Sequence, residues 1–147
     1  MKLFTAIILS LILFSSIASA TPNSQFVFVF DFGVIRHNDV GEPVAFEKTT
    51  QIPIVNGVET TLYGLVVTSA GDEQFNLNSV HVVPVQNKNG ELKKVMGKTM
   101  VIRKRGAIFM RTDFDDLPGD YQMEIYIDNE LHHTISYQLS DISLAKR

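Results

Sequence analysis

The chain predicts an all-β fold, an antiparallel β-sandwich of about seven strands, from two features of its patterning. Apolar residues alternate with polar ones at period two in short runs, as half-buried strands do, and clusters of Gly, Pro, Asn, Asp and Ser separate the runs. Past residue 20, no segment carries a capped apolar stripe at the helical period of about 3.6 residues, so little helix is expected.

The 147 residues are 45% apolar and 20% charged, which fits one globular domain and is too apolar for a disordered chain. There is no cysteine, so stability has to come from a hydrophobic core rather than from disulfides. Met1-Lys2 gives a short cationic start, Leu3 to Phe14 is an almost unbroken apolar run, and Ala18-Ser19-Ala20 supplies an A-x-A cleavage pattern. Residues 1–20 therefore read as a bacterial Sec-type signal peptide cut between Ala20 and Thr21, leaving one β-sandwich domain over residues 21–147 in the periplasm or outside the cell. The apolar run is shorter than the roughly 20 residues of a membrane span, so no stable membrane insertion is expected. Of 13 Lys and Arg, Lys2 leaves with the leader, so 12 remain against 16 Asp and Glu, a formal charge of −4. With its basic residues in short groups such as Lys93-Lys94 and Arg103-Lys104-Arg105, that balance argues against nucleic acid as a partner.

Gln25 to Ile35 is the first strand, with Phe28, Phe30 and Phe32 on one face and Val29, Asp31 and Gly33 on the other. Arg36 to Pro43 is a polar loop around Gly41. Val44 to Ile54 is the second strand, and Pro53, which cannot donate a ladder hydrogen bond, marks its end as an edge or a bend. Asn56-Gly57 is the strongest short hairpin signal here, because both residues tolerate positive φ, so a tight turn is expected before a third strand from Glu59 to Thr68. Leu62 and Val66 lie on one side of that strand and Tyr63, Leu65 and Val67 on the other, which makes it central. Ser69 to Asp72 breaks the run, and Phe75 to Val85 resumes with Phe75, Leu77, His81, Val83 and Val85 on a common face.

Beyond the Asn87–Gly90 loop the pattern weakens, with Met100–Ile102 and Ala107–Met110 as strand candidates around a basic turn, Arg103–Gly106. The end of the chain is a β-hairpin. Tyr121, Met123, Ile125 and Ile127 alternate up to a turn at Asp128–Glu130, and Leu131, His133, Ile135, Tyr137 and Leu139 share one face of the returning strand.

The approach to that hairpin, Asp116-Leu117-Pro118-Gly119-Asp120-Tyr121, resembles the corner before the penultimate strand of immunoglobulin-like domains, where a tyrosine returns its hydroxyl to nearby backbone. The sandwich is therefore expected to be immunoglobulin-like. Gly33-Val34-Ile35, Thr49-Thr50-Gln51-Ile52-Pro53, Tyr63-Gly64-Leu65 and Leu117-Pro118-Gly119-Asp120-Tyr121 together resemble a bacterial secreted domain-of-unknown-function family of this architecture. The resemblance implies an exported immunoglobulin-like sandwich and brings no activity, cofactor or catalytic residue with it.

Candidate chemistry is sparse. No G-x-S-x-G elbow occurs, and only His37, His81, His132 and His133 are available as a base, so a nucleophilic triad is not expected. A copper-type site would draw on His37, His81 or His132 with a methionine such as Met96, but neighbouring strand residues point to opposite faces, which separates His132 from His133. On that reading His132 faces solvent, His133 is a partly buried structural residue and Met123 is core. Asp113, Asp115 and Asp116 read as turn-capping residues rather than a calcium loop, and Asp31, Glu47 and Glu124 are carboxylates that nothing selects for glycoside hydrolysis. Arg103, Lys104 and Arg105 are the candidate contact for an anionic partner. The expected protein is a non-enzymatic interaction or accessory module of the cell envelope, without metal or cofactor, whose partner is an envelope protein or glycan. The alternative is a periplasmic metal- or small-ligand-binding protein.

Overall fold

The phenylalanine-rich alternation folds as β1 (Phe28–His37), which turns into β2 (Pro43–Lys48). Asn38 closes the turn, its Oδ1 accepting from the Val40 and Glu42 amides at 3.2 and 2.8 Å, as a short amide side chain does in loops. The computed structural model describes residues 27–54, 60–85, 90–113 and 115–141. Residues 1–20, expected as a leader, with the expected cleavage point at Ala20 and Thr21, the Asn56-Gly57 pair and Asn87 to Asn89 lie outside the described residues. Eight further strands follow: β3 (Gln51–Ile54), β4 (Leu62–Ser69), β5 (Gln74–Pro84), β6 (Leu92–Met96), β7 (Met100–Arg103), β8 (Arg105–Arg111), β9 (Gly119–Ile127) and β10 (Glu130–Asp141). Among the described residues there is no helix.

The strands form a four-stranded sheet in the order β2-β1-β4-β8 and a six-stranded sheet in the order β3-β10-β9-β5-β6, with β7 also paired to β5. In the lettering of immunoglobulin domains, β4 and β8 stand as B and E, and β5, β9 and β10 as C, F and G. Ten strands appear where about seven were expected: one expected element is divided, and β6, where no strand was expected, adds another. β6 and β7 share the edge of β5 and are parted where the Gly97 amide bonds to the Ser79 carbonyl at 2.8 Å.

The divided element is the second strand. The run Val44 to Ile54 is broken at Thr49-Thr50, where the Thr50 carbonyl accepts from the Gln138 amide at 2.8 Å and carries the chain to the opposite sheet. β3 then pairs with β10 in parallel, the one parallel ladder among the described residues, and buries Ile52 and Ile54. The hairpin expected across Asn56-Gly57 is corrected by the same fact. Its flanking strands β3 and β4 belong to different sheets and do not pair with each other.

The core lies between the sheets. Phe32, Val34, Leu65 and Val67 of the first sheet meet Ile52, Leu77, Met123, Ile125 and Leu139 of the second. Full burial of side chains of this size contributes roughly 1.5–3 kcal/mol each before entropy is counted. β4 is central, between β1 and β8, as its two apolar faces require. The closing hairpin turns through Asp128 and Asn129 at φ 49° and 68°, the two positive values of a type I′ turn. At the start of β9 the Tyr121 hydroxyl donates to the Leu117 carbonyl at 2.7 Å, which is the tyrosine corner the sequence implies.

A bulge between Leu131 and His133 corrects the expected faces of β10. Leu131 opposes Tyr126 whereas His133 opposes Ile125, so one residue is inserted and Leu131 is turned out to 55% exposure. His132 is exposed, as expected, with its ring edge-on to Phe28 at 5.4 Å, whereas His133, expected to be partly buried, is exposed too and stacks on Phe30 at 5.0 Å.

Candidate functional site

Alternation along the four-stranded sheet decides what its outer face presents. Tyr63, Leu65 and Val67 of β4 point to the core, so Leu62, Gly64, Val66 and Thr68 point away from it, together with their cross-strand partners Ile35, Gly33, Asp31 and Val29 of β1. On the far side of β4 the same rows continue into Arg111, Phe109, Ala107 and Arg105 of β8. Gly33 and Gly64 are thus directly opposed at the middle of this face. A Cβ at Gly33 would run into the backbone carbonyl of Glu47, and one at Gly64 into that of Ile108. These positions admit only glycine because neighbouring backbone comes too close.

The glycine pair leaves a floor without side chains. Phe46 of β2 and Phe109 of β8 lean over it from the two edge strands until their rings stand edge-to-face at 6.4 Å. A groove of about 470 Å³ results, lined by Ile35, Phe46, Val66, Ala107 and Phe109 with Arg105 at one end. Phe109 stays 40% exposed, so this apolar surface is turned to solvent. Lys48 and Asp31 form an ion pair of 2.5 Å on the same face.

The outer face of the six-stranded sheet is different in kind. A trough of about 490 Å³ there is lined by Gln51, Asp120, Gln122, Ser136 and Gln138, and part of its polar capacity is spent internally where Gln138 Nε2 donates to Asp120 Oδ1 at 3.3 Å.

The residues singled out from sequence fall as follows. Lys104, at φ 62°, turns the chain from β7 in one sheet to β8 in the other and pairs with Asp72 at 2.8 Å. Ile102 and Gly106 meet inside the sandwich, so Arg103 and Arg105 project from opposite outer faces and the three cations do not converge. His37, His81 and His132 stand on β1, β5 and β10, Met96 is 72% exposed on β6, and no group of three or more His, Cys, Asp or Glu able to hold a metal occurs among the described residues. Asp31, Glu47 and Glu124 are each engaged by a cation, Lys48, Arg36 and Lys94 respectively. Asp116 accepts from the Asp113 amide at 2.7 Å, the turn-capping role expected of that cluster.

Burial displaces several titrations. His81 faces the core beside Ser79, with Nε2 3.0 Å from Ser79 Oγ and Nδ1 without a partner among the described residues, and burial lowers its pKa. Tyr63 and Tyr137 sit in an aromatic cluster with Phe32 and Tyr121, where burial pushes the Tyr63 phenol up to about 12 and raises that of Tyr137 as well. Sequence reasoning did not single out Phe46, Phe109 or the Gly33–Gly64 pair. The available signal was glycine inside two strand patterns, which marks close approach of backbone.

No family model matches the chain, and no curated protein matches it. Among solved structures, it is similar to an immunoglobulin-like protein of Pseudomonas aeruginosa at 15% identity and a TM-score of 0.54, over 76% of this chain and 92% of that one. Looser matches are an alkylpurine DNA glycosylase of Pseudomonas fluorescens (10% identity, TM-score 0.42, 76% of this chain) and a β-glucosidase of Listeria innocua in complex with gluconolactone (5% identity, TM-score 0.44, 79% of this chain). The chain spans only 30% and 16% of those two enzymes. The likeness to the Pseudomonas aeruginosa protein, together with the two-sheet topology and the tyrosine corner, establishes an immunoglobulin-like β-sandwich.

Proposed function

We propose that the chain is an exported, non-enzymatic interaction module of the bacterial cell envelope that docks a protein partner on the outer face of its four-stranded sheet. The observation that carries this reading is the aromatic groove over the Gly33–Gly64 pair, where Phe46 and Phe109 are held together without being buried. Two facing glycines weaken a sheet, and an aromatic pair above them offers a rigid apolar anchor at low entropic cost to a binding partner. The signal-peptide pattern of residues 1–20 supports export. The ion-paired state of Asp31, Glu47 and Glu124 supports a role other than carboxylate catalysis.

The test replaces Phe109 by a photo-crosslinking residue in cells of a bacterial host, with Gln122 on the other sheet as control. The reading expects processed protein in the periplasm and one discrete adduct from position 109 that position 122 does not give. Cytoplasmic retention of the unprocessed chain, equal adducts at both positions, or turnover of an envelope polymer by the purified protein contradicts it.

A further inference from the structure

We infer that the free edge of β8 accepts an added β-strand from the partner, an extended segment with an acidic residue at each end and two apolar residues alternating between them. The inference rests on the docking reading above and names the partner's chemistry.

Hydrogen-bond phase along β8 comes first. The Ser69 amide donates to the Lys104 carbonyl at 2.7 Å, and the Thr112 amide donates to the Thr61 carbonyl at 2.9 Å. The register between those points is unshifted, so Gly106, Ile108 and Met110 exchange their backbone bonds with β4. Arg105, Ala107, Phe109 and Arg111 then direct their amides and carbonyls to the other edge, where no strand pairs with β8 among the described residues. The same four residues place their side chains on the outer face, beside the aromatic groove. An incoming strand would find a ladder and an apolar pocket in register.

Charge selects the occupant. Arg36, Lys48, Lys94 and Lys104 are ion-paired, whereas Arg105 and Arg111 form no ion pair among the described residues. They bracket Ala107 and Phe109, about 20 Å apart along the strand. A second copy is disfavoured at this edge: antiparallel pairing of two β8 strands about Ile108 sets Arg105 of each against Arg111 of the other, and like charges directly opposite destabilise a ladder. An acidic residue opposite each arginine reverses that sign, and apolar residues at the two alternate positions between them lie against Ala107 and Phe109.

The test uses the full mature chain and a fluorescent, end-capped peptide of sequence ETVTVTE, with KTVTVTK as its charge-reversed control. Anisotropy should show ETVTVTE binding at least about tenfold more tightly than KTVTVTK. A107P removes an amide that points to the free edge and none that β4 uses, so it should stay folded by circular dichroism and lose at least about tenfold in affinity. R105E/R111E, a surface change, should invert the peptide preference. Equal binding of the two peptides, undiminished binding by folded A107P, failure of ETVTVTE to bind, or a wild-type dimer that A107P dissociates would each overturn the proposal. If ETVTVTE does not bind while position 109 still yields its single adduct in cells, strand addition fails and the docking face stands; if neither is seen, both fail.

Discussion

Phe46 and Phe109 meet edge-to-face at 6.4 Å although they belong to the two outermost strands of a four-stranded sheet. Three strand spacings put the backbones of such strands about 14 Å apart, so the rings can touch only by lying across the strands between them. Gly33 and Gly64, opposed on those inner strands, make the crossing possible.

That dependence makes Gly64 a stability determinant. A Cβ there meets the Ile108 carbonyl, which belongs to the ladder and cannot rotate away. G64A is expected to lose about 1–3 kcal/mol through forced separation of β4 and β8. Urea denaturation of the variant beside wild type measures it.

The closing hairpin offers the opposite sign. Asn129 holds φ 68° at the cost a non-glycine residue pays in that region, so N129G should stabilise the fold by a few tenths to about 1 kcal/mol. Asp128 also has positive φ, yet its Oδ1 accepts from the Asn76 amide and side chain at 2.9 and 3.0 Å, tying the turn to β5. D128A should therefore destabilise by about 1–2 kcal/mol. Thermal melts of the two variants should move in opposite directions.

Much of this was legible in the sequence, and the rest fails for a common reason. The period-two pattern reports which residues share a face, so the Phe28-Phe30-Phe32 face, the central position of β4, the last hairpin and the Tyr121 corner could all be read. It does not report which sheet a strand joins. Thr49-Thr50 passes the chain between sheets with the alternation nearly undisturbed, so Val44 to Ile54 reads as one strand. Lys104 does the same with a single residue, and a run of three cations adjacent in sequence is dealt to different faces. The bulge at His132 is equally local, and one inserted residue is enough to turn Leu131 outward. The proposed docking face needs strand neighbours to be known: Phe46 and Phe109 are far apart in sequence and meet only through the order β2-β1-β4-β8.

Acid sensitivity should trace to His81. Its folded-state pKa is lowered by burial, so the unfolded chain binds the proton more readily, and stability is full above the unfolded value of about 6.5 and falls as pH drops below it. In H81Q, which cannot titrate and can still hydrogen-bond Ser79, the fall between pH 6.5 and 5 (approximate bounds set by that pKa) should be shallower than in wild type. Urea midpoints across that window, compared between the two proteins, isolate this residue.

At high pH the aromatic cluster takes over. The Tyr63 phenol is raised by burial to about 12, above an unfolded value of about 10, so its contribution is intact below pH 10 and is lost as pH rises from there toward 12. Y63F should lessen the alkaline loss by up to about 1.4 kcal/mol per pH unit across that interval. Denaturation at a series of alkaline pH values, with and without the substitution, gives the difference directly.

The central claim is that β8 presents an unsatisfied edge through Arg105, Ala107, Phe109 and Arg111. Residue-resolved amide hydrogen exchange on residues 21–147, alone and with ETVTVTE, reads that edge. The account predicts alternation in the free protein, with Gly106, Ile108 and Met110 protected and Arg105, Ala107, Phe109 and Arg111 exchanging fast, and slowing of the latter four when the peptide is added. Uniform protection along β8 in the free protein, or no change in those four amides at saturating peptide, would contradict it.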